Sequence, residues 1–450
     1  MKANLLNLFL VSIALLMACK EEKKDPAILF LEKVYSFKDY AEYLKTPQAK
    51  AFRERVEKES EQYRDDFWSL VPEEFHVKTS VVAADNSFYT FEKILVESSE
   101  FESYHVTDDY ITKLNTKSDF SEIAEYLNSK LETVKNALAV LTDKFEWAVN
   151  EDSYSKAGLK LRAFCRVLNL KFLLDVYQGD WKEAVNTLDM HVVFLNALES
   201  CKGDLIVRQL GYAAHNLTND TIIKALSNKD ISKEHIKAIM GKYKEIKVPR
   251  AENMLSSLAY NFEIAVKLCA ASKVSPKEYF WMILYPVSRL SENPEEFKKW
   301  FDTQYEKRIP FDAKKYINDH VVYYQLFFED LKNVCHPDDM LSKKIVDDLD
   351  KTEMENLNNY FCSTYFGALQ GTKSVLNNVL TRKKVVELVA KIRIYEIENN
   401  KLPERLSDLF DGDSAKIPGD LNSRDLLMYS RENREITVRP RPKLTKLIKF

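Results

Sequence analysis

The chain has 450 residues and a net charge of −3, from 66 basic and 69 acidic side chains. That balance gives no whole-chain electrostatic case for nucleic acid, whose binders concentrate positive charge. Apolar residues make up 45%, enough for a sizeable core, but only nine residues are glycine, against a usual share of about 7%. Sheets, barrels and phosphate loops that need positive φ are disfavoured, and helices with short connections are favoured.

Lys2 precedes an almost wholly apolar run from Leu5 to Met17. The run is too short for a permanent membrane span and has the length of a signal-peptide core. It closes on Leu16-Met17-Ala18-Cys19. This tetrapeptide resembles the bacterial lipobox, in which a small residue precedes a cysteine that receives a diacylglycerol. The resemblance implies export, removal of residues 1–18, and lipid on Cys19. An ordinary secretory signal prefers small residues at the third and first positions before the cut, and Leu16 does not suit it. Residues 19–26 read as a tether, with Lys20 to Asp25 charged throughout and Pro26 ending it. The other cysteines, Cys165, Cys201, Cys269, Cys335 and Cys362, are odd in number and widely spaced, which is no disulfide framework.

Residues 27–118 read as an N-terminal helical region rich in aromatic side chains. Residues 71–118 are its least regular part, with a cap signal at Asp85-Asn86 and a helix start within Phe88 to Val96.

Residues 119–380 carry the clearest helical signals. Asp119 with Glu122, Ser275 with Glu278, Asn293 with Glu296, and Thr352 with Glu355 have capping-box spacing. Pro276 and Pro294 stand at first helical positions. Leu161, Phe164, Cys165, Leu168 and Phe172 fall on one helical face, and Ile206, Leu210, Ala213 and Leu217 repeat the pattern later. Cys165 belongs to that apolar stripe and is expected in the core. Between the stripes, Gly179 is expected to end one helix in the left-handed region, Asp180 to cap the next, and Trp181 and Ala184 to face back. The turn resembles that of a tetratricopeptide repeat. No clean 34-residue period recurs, so an ordinary array of helical hairpins and a degenerate solenoid both fit.

Residues 381–450 differ. Val385, Leu388, Val389, Ile392 and Tyr395 form a helical stripe that stops at Asn399-Asn400-Lys401-Leu402-Pro403. Leu406, Leu409 and Phe410 suit a short helical turn. Leu426 to Ser430 and Glu435 to Arg439 read as a β-hairpin. Arg439, Arg441, Lys443, Lys446 and Lys449, with no acid among them, read as a free basic tail, either solvated or resting on anionic lipid headgroups. The expected fold is therefore mainly α, an array of helical hairpins with a small C-terminal helix plus β-hairpin.

Two stretches carry a further resemblance. Thr381-Arg382-Lys383-Lys384, Ile394-Tyr395, Lys401-Leu402-Pro403 and Leu406-Ser407-Asp408-Leu409 resemble a block that ends many helical proteins of planctomycete- and verrucomicrobia-type bacteria. That block is itself similar to the helix and first loop of type II secretion pseudopilins. This chain departs from it at Leu402, where an aromatic residue is usual, and at the loop Ile417-Pro418-Gly419-Asp420. Upstream, Arg162-Ala163-Phe164, Gly179-Asp180-Trp181 and Asp204 to Leu210 match the helical region of the same proteins. The resemblance brings no assigned chemistry.

The chain has no His-Glu-x-x-His, Gly-x-Ser-x-Gly, Gly-x-Gly-x-x-Gly, P-loop or Cys-x-x-Cys sequence. No two of its seven histidines stand at metal-ligand spacing. Cys335-His336-Pro337-Asp338-Asp339 is the densest cluster and reads as a helix boundary with acids in a first turn. His191 and His215 lie on successive helices and could face one cavity, although packing is the plainer role for each. Phe280 to Val287 is the most apolar stretch after the signal and reads as a buried core helix. No catalytic residue, metal site or cofactor is expected. The expectation is a non-enzymatic, lipid-tethered envelope protein, held to a membrane through Cys19 and scaffolding or binding a protein or peptide partner. A glycan- or nutrient-binding lipoprotein is the first alternative and an envelope hydrolase the second.

Overall fold

The computed structural model describes residues 47–71, 73, 87–98, 105–114, 120–141, 154–200, 205–249, 266–267, 269–270, 273, 313–332, 357–423, 425–441 and 444–450. Helix makes up 76% of the described structure, and the strands form a small antiparallel sheet at the C-terminus. The fold is thus mainly α with a C-terminal β element. The described residues fall into two compact units, one drawn from 1–80 and 254–371, the other from 81–253 and 372–450.

In the first unit, α1 (Pro47–Leu70) buries Val56, Tyr63 and Phe67 along one side. The Phe67 ring meets Tyr324 edge-on at 6.2 Å, and Tyr324 belongs to a helix at Ala313–Lys332. Lys267 and Lys273 pair with Glu57 and Glu59, and Lys273 also lies over the Tyr63 ring.

The second unit begins with α2 (Ser87–Glu97), α3 (His105–Leu114), α4 (Ser121–Ala139) and α5 (Tyr154–Tyr177), and continues with α6 (Trp181–Ser200), α7 (Leu205–Leu226) and α8 (Lys233–Tyr243). Helix α5 packs against α2, α3, α4, α6 and α7. The expected stripe of Leu161, Phe164, Cys165, Leu168 and Phe172 is fully buried. So are Ala163, Val167, Leu170, Leu173, Leu174 and Val176, which point in other directions. A helix apolar on every side must be covered on every side. Among α2 to α8, contacts run between helices close in sequence, as a hairpin array requires.

The α5–α6 turn forms as the sequence implies. Gly179 has φ +75°, Asp180 N donates to Asp175 O at 2.9 Å, and Gly179 N donates to Val176 O at 3.1 Å. That pair of bonds is a Schellman closure. Asp180 then caps α6 by accepting from Glu183 N at 3.1 Å. Ala184 is buried, and Trp181 stacks on His235 with ring centroids 4.6 Å apart.

Other local expectations shift. Helix α4 starts at Ser121 with Phe120 in the cap position and no side-chain cap bond; Asp119 lies outside the described residues. So do both partners of the three remaining capping-box pairs. On α7, Leu210, Ala213 and Leu217 are half-buried, with Leu210 and Leu217 packed against the core, and Tyr212, Ala214, His215, Thr218, Asn219 and Ile222 are among the fully buried positions. Polar and aromatic residues there hid the true inner face from a reading of alkyl spacing.

The unit closes with the later part of α9 (Leu357–Asn399) and the residues after it. Val385, Leu388, Val389 and Ile392 are buried, in one continuous core with the helices before them. Asn400 adopts φ 53° and ends the helix, and a 3-10 turn follows at Leu406–Phe410. Strands β1 (Met428–Ser430), β2 (Glu435–Arg441) and β3 (Leu444–Lys449) lie in the order β1-β2-β3, antiparallel throughout. The expected free basic tail is therefore corrected. Part of it is the third strand, with Ile448 and Phe450 buried and Lys446 paired to Asp220 of α7 at 3.4 Å. Strand alternation turns 446, 448 and 450 to the helices, so basic composition did not mean solvation.

At Gly179 a Cβ would meet nothing within 4 Å, so the cost of a side chain there is backbone strain alone. Gly179→Val is expected to destabilise the protein by about 1–2 kcal/mol, read as a lower melting temperature; an unchanged value would contradict the left-handed assignment. Leu388→Ala is expected to cost about 2–5 kcal/mol. It should raise hydrogen exchange in residues 385–399 and in the three strands together, because they share one core.

Candidate functional site

Two buried polar seams cross this otherwise alkyl interior. The first lies between α5 and α6. His191 is fully buried, and burial pushes its pKa down to about 4, so the ring is neutral near pH 7. A neutral imidazole carries one N–H. Nδ1 lies 3.0 Å from Thr187 O and Nε2 2.9 Å from Asn169 Oδ1, so the ring donates to one of these two acceptors. The Asn169 amide nitrogen donates to Cys165 Sγ at 3.6 Å. Burial pushes that thiol up to about 12, so it stays protonated and donates to Ala214 O at 3.9 Å. Asp175 extends the seam, accepting from Thr187 Oγ1 at 2.8 Å and pairing with Lys171. Burial raises its carboxyl, against the opposing pull of Lys171 and Thr187.

The second seam runs along α7. Arg208 and Glu199 form a buried pair, with Arg208 also donating to Glu199 O at 3.2 Å. Gln209 donates to Thr372 Oγ1 at 2.7 Å, and Tyr243 Oη to Asn219 Oδ1 at 2.6 Å. Lys383 donates to Ile246 O at 3.1 Å and lies over the Tyr243 ring. Burial lowers the Lys383 pKa, with Glu387 opposing. His215 is pushed down to about 3 by burial, then by the charges of Lys383 and Arg208. Tyr212 Oη, His215 Nε2 and Asn216 Oδ1 have no hydrogen-bond partner among the described residues.

His191 and His215 are thus both buried, but in different surroundings: Asn169 and Thr187 contact the first, and the charges of Lys383 and Arg208 act on the second. They form no common pair. Cys165 and Cys269 are both buried. Cys19, Cys335 to Asp339 and Phe280 to Val287 lie outside the described residues. Asn169, Asp175, Thr187, Asn219 and Tyr243 went unremarked in the sequence, and Lys383 was noted only within a family resemblance. Only Asn169 and Asp175 left a signal, as polar residues inside an apolar helix. No group of His, Cys, Asp and Glu able to hold a metal ion, and no helix long and apolar enough to cross a membrane, occurs among the described residues. No family model, curated protein or solved structure matches the chain.

Both histidines titrate near 6.5 when unfolded and far lower when folded. Between about pH 6.5 and 4 the unfolded chain binds protons that the fold excludes, so stability is complete above that window and falls as pH drops through it. Each histidine should cost about 2 kcal/mol between pH 6.5 and 5. Thermal melts over that range should show a shallower pH slope in His191→Gln than in the parent. Equal slopes would mean the ring is not held neutral.

Proposed function

We propose that this chain is a membrane-tethered envelope lipoprotein whose helical body serves as a scaffold for a protein or peptide partner. The reading is carried by Leu16-Met17-Ala18-Cys19, which closes an apolar run of signal-peptide length. The mature chain then begins at Cys19, with lipid on its sulfur and a charged tether to Pro26. Several acyl chains on one cysteine hold firmly, since each buried methylene contributes about 0.8 kcal/mol.

Two features of the folded part support a binding role over a chemical one. The His191 imidazole has both nitrogens committed to the helix pair, and the Cys165 thiol is buried and protonated. A hairpin array also offers extended surfaces between successive helices, which suit peptides and other proteins.

Cys19→Ala is expected to move the protein from the membrane fraction to the soluble fraction and to abolish incorporation of radiolabelled lipid. Labelling that persists in the variant would remove the tether from the proposal. Affinity capture from native membranes tests the scaffold itself. Recovery of a stoichiometric protein partner is expected, and turnover of peptidoglycan or peptide by the purified chain would overturn it.

A further inference from the structure

The C-terminal sheet has two unlike faces. Leu427, Ile436, Val438, Ile448 and Phe450 are buried against the helices. On the opposite face, Met428 pairs with Thr437 and Thr437 with Leu447, one straight row across all three strands. Met428 is 60% exposed and Leu447 53%. Leu426, two residues before Met428 and so on the same side of the strand direction, is 54% exposed. Eight large apolar residues are exposed among the described residues, and these are the three most exposed. Scattered exposed leucines need no explanation, but three gathered on one small sheet do.

The segment that forms this sheet is rich in basic residues. Residues 426–450 hold seven basic and two acidic side chains, in a chain whose total is −3. Lys449 stands in the next row of the same face, opposite Glu435. Its side chain is 80% exposed, and its ion pair with Glu435 spans 3.4 Å. Arg431 and Glu432 are both exposed at the β1–β2 turn. Lys446 and Arg434, by contrast, are drawn inward to Asp220 and Glu396.

We propose that the outer face of this sheet docks on the surface of an anionic lipid membrane, with Leu426, Met428 and Leu447 entering the headgroup boundary and the basic residues around them meeting lipid phosphates. Apolar side chains set among basic ones are what a negatively charged bilayer surface attracts. The idea rests on the lipoprotein reading only for what brings a membrane near. Contact through the sheet would fix how the tethered body sits on the bilayer, beyond what a lipid on Cys19 can do.

The test uses the chain from residue 19 onward with Cys19→Ser, so that no lipid anchor contributes. It is sedimented with vesicles of phosphatidylglycerol and phosphatidylcholine, and with vesicles of phosphatidylcholine alone. Binding is expected only with the anionic vesicles, and it should weaken as salt rises. The double variant Met428→Asp, Leu447→Asp should bind roughly tenfold less, from lost apolar contact and added negative charge. Both positions are largely solvent-exposed, so its melting temperature should match the parent's. Val193→Asp, at a 43% exposed position on α6, should leave binding unchanged. The proposal is overturned by equal affinity for both vesicle types, by no binding at low salt, or by an equal loss in Val193→Asp. A concentration-dependent dimer that the double variant abolishes would assign the face to a second copy and also overturn it. Because no lipid is attached, failure here leaves the Cys19 proposal standing, and failure of Cys19 labelling leaves this one standing.

Discussion

Helix α5 is covered on every side, and the rest of the second unit is arranged around that constraint. A fully enclosed helix cannot send its polar side chains to water, so neighbours must meet each one. Arg166 reaches Asp108 on α3 at 2.6 Å, Asn169 meets His191 on α6, and Asp175 meets Thr187 on α6. Thr187 and His191 stand one turn apart, so α6 faces α5 through two polar contacts at fixed height. A slip of one residue would rotate α6 by about 100° and leave buried polar groups unpaired, each costing about 1–3 kcal/mol. Alkyl burial supplies most of the driving force for closing the helices together. The polar pairs select one register from the many that alkyl packing would accept.

The C-terminal segment is held by the same logic on a larger scale. Arg393 is buried and donates to Leu226 O and Asn228 O, both at 3.1 Å, satisfying carbonyls at the end of α7. Glu396 takes ion pairs from Arg393 on the long helix and from Arg434 at the sheet's turn. Asp220 on α7 takes Arg382 from the long helix and Lys446 from β3. Each carboxylate therefore joins one helix cation to one sheet cation. A three-stranded sheet this small is marginal alone. Clamped at its turn and at its last strand, with Ile436, Val438 and Ile448 in the common core, it becomes part of the helical body.

The features legible in the sequence were those encoded within a few residues. Gly179 followed by Asp180 announces its turn because both steps, the left-handed residue and the cap, are local. Val385, Leu388, Val389 and Ile392 announce a buried face because their spacing is helical. The third strand stayed hidden because Lys446 finds its carboxylate 226 residues away, and a lysine without a visible partner reads as solvated. The α7 face was misread for a related reason. Tyr212, His215 and Asn219 are buried through partners or neighbours such as Tyr243 and Lys383, which lie outside any local window. Of the polar seams, Cys165, His191 and His215 were named from the sequence, while Asn169 and Asp175 went unremarked, since nothing local pointed to their partners.

Placing Lys446 inward has a consequence for the other side of the sheet. Strand alternation allows one face to be committed at a time, and the row containing Ile448 and Phe450 is committed to the helices. Leu447 must then face away, across Thr437 from Met428. If that face met only water, a polar residue would serve better at both positions, and a lysine-rich edge would guard against strand pairing. The chain instead places its lysine at 449, beside the apolar row, and keeps leucine and methionine at the centre. The inward commitment therefore leaves the outer row unexplained, and the exposed apolar centre with Lys449 beside it is a property of the outer face itself.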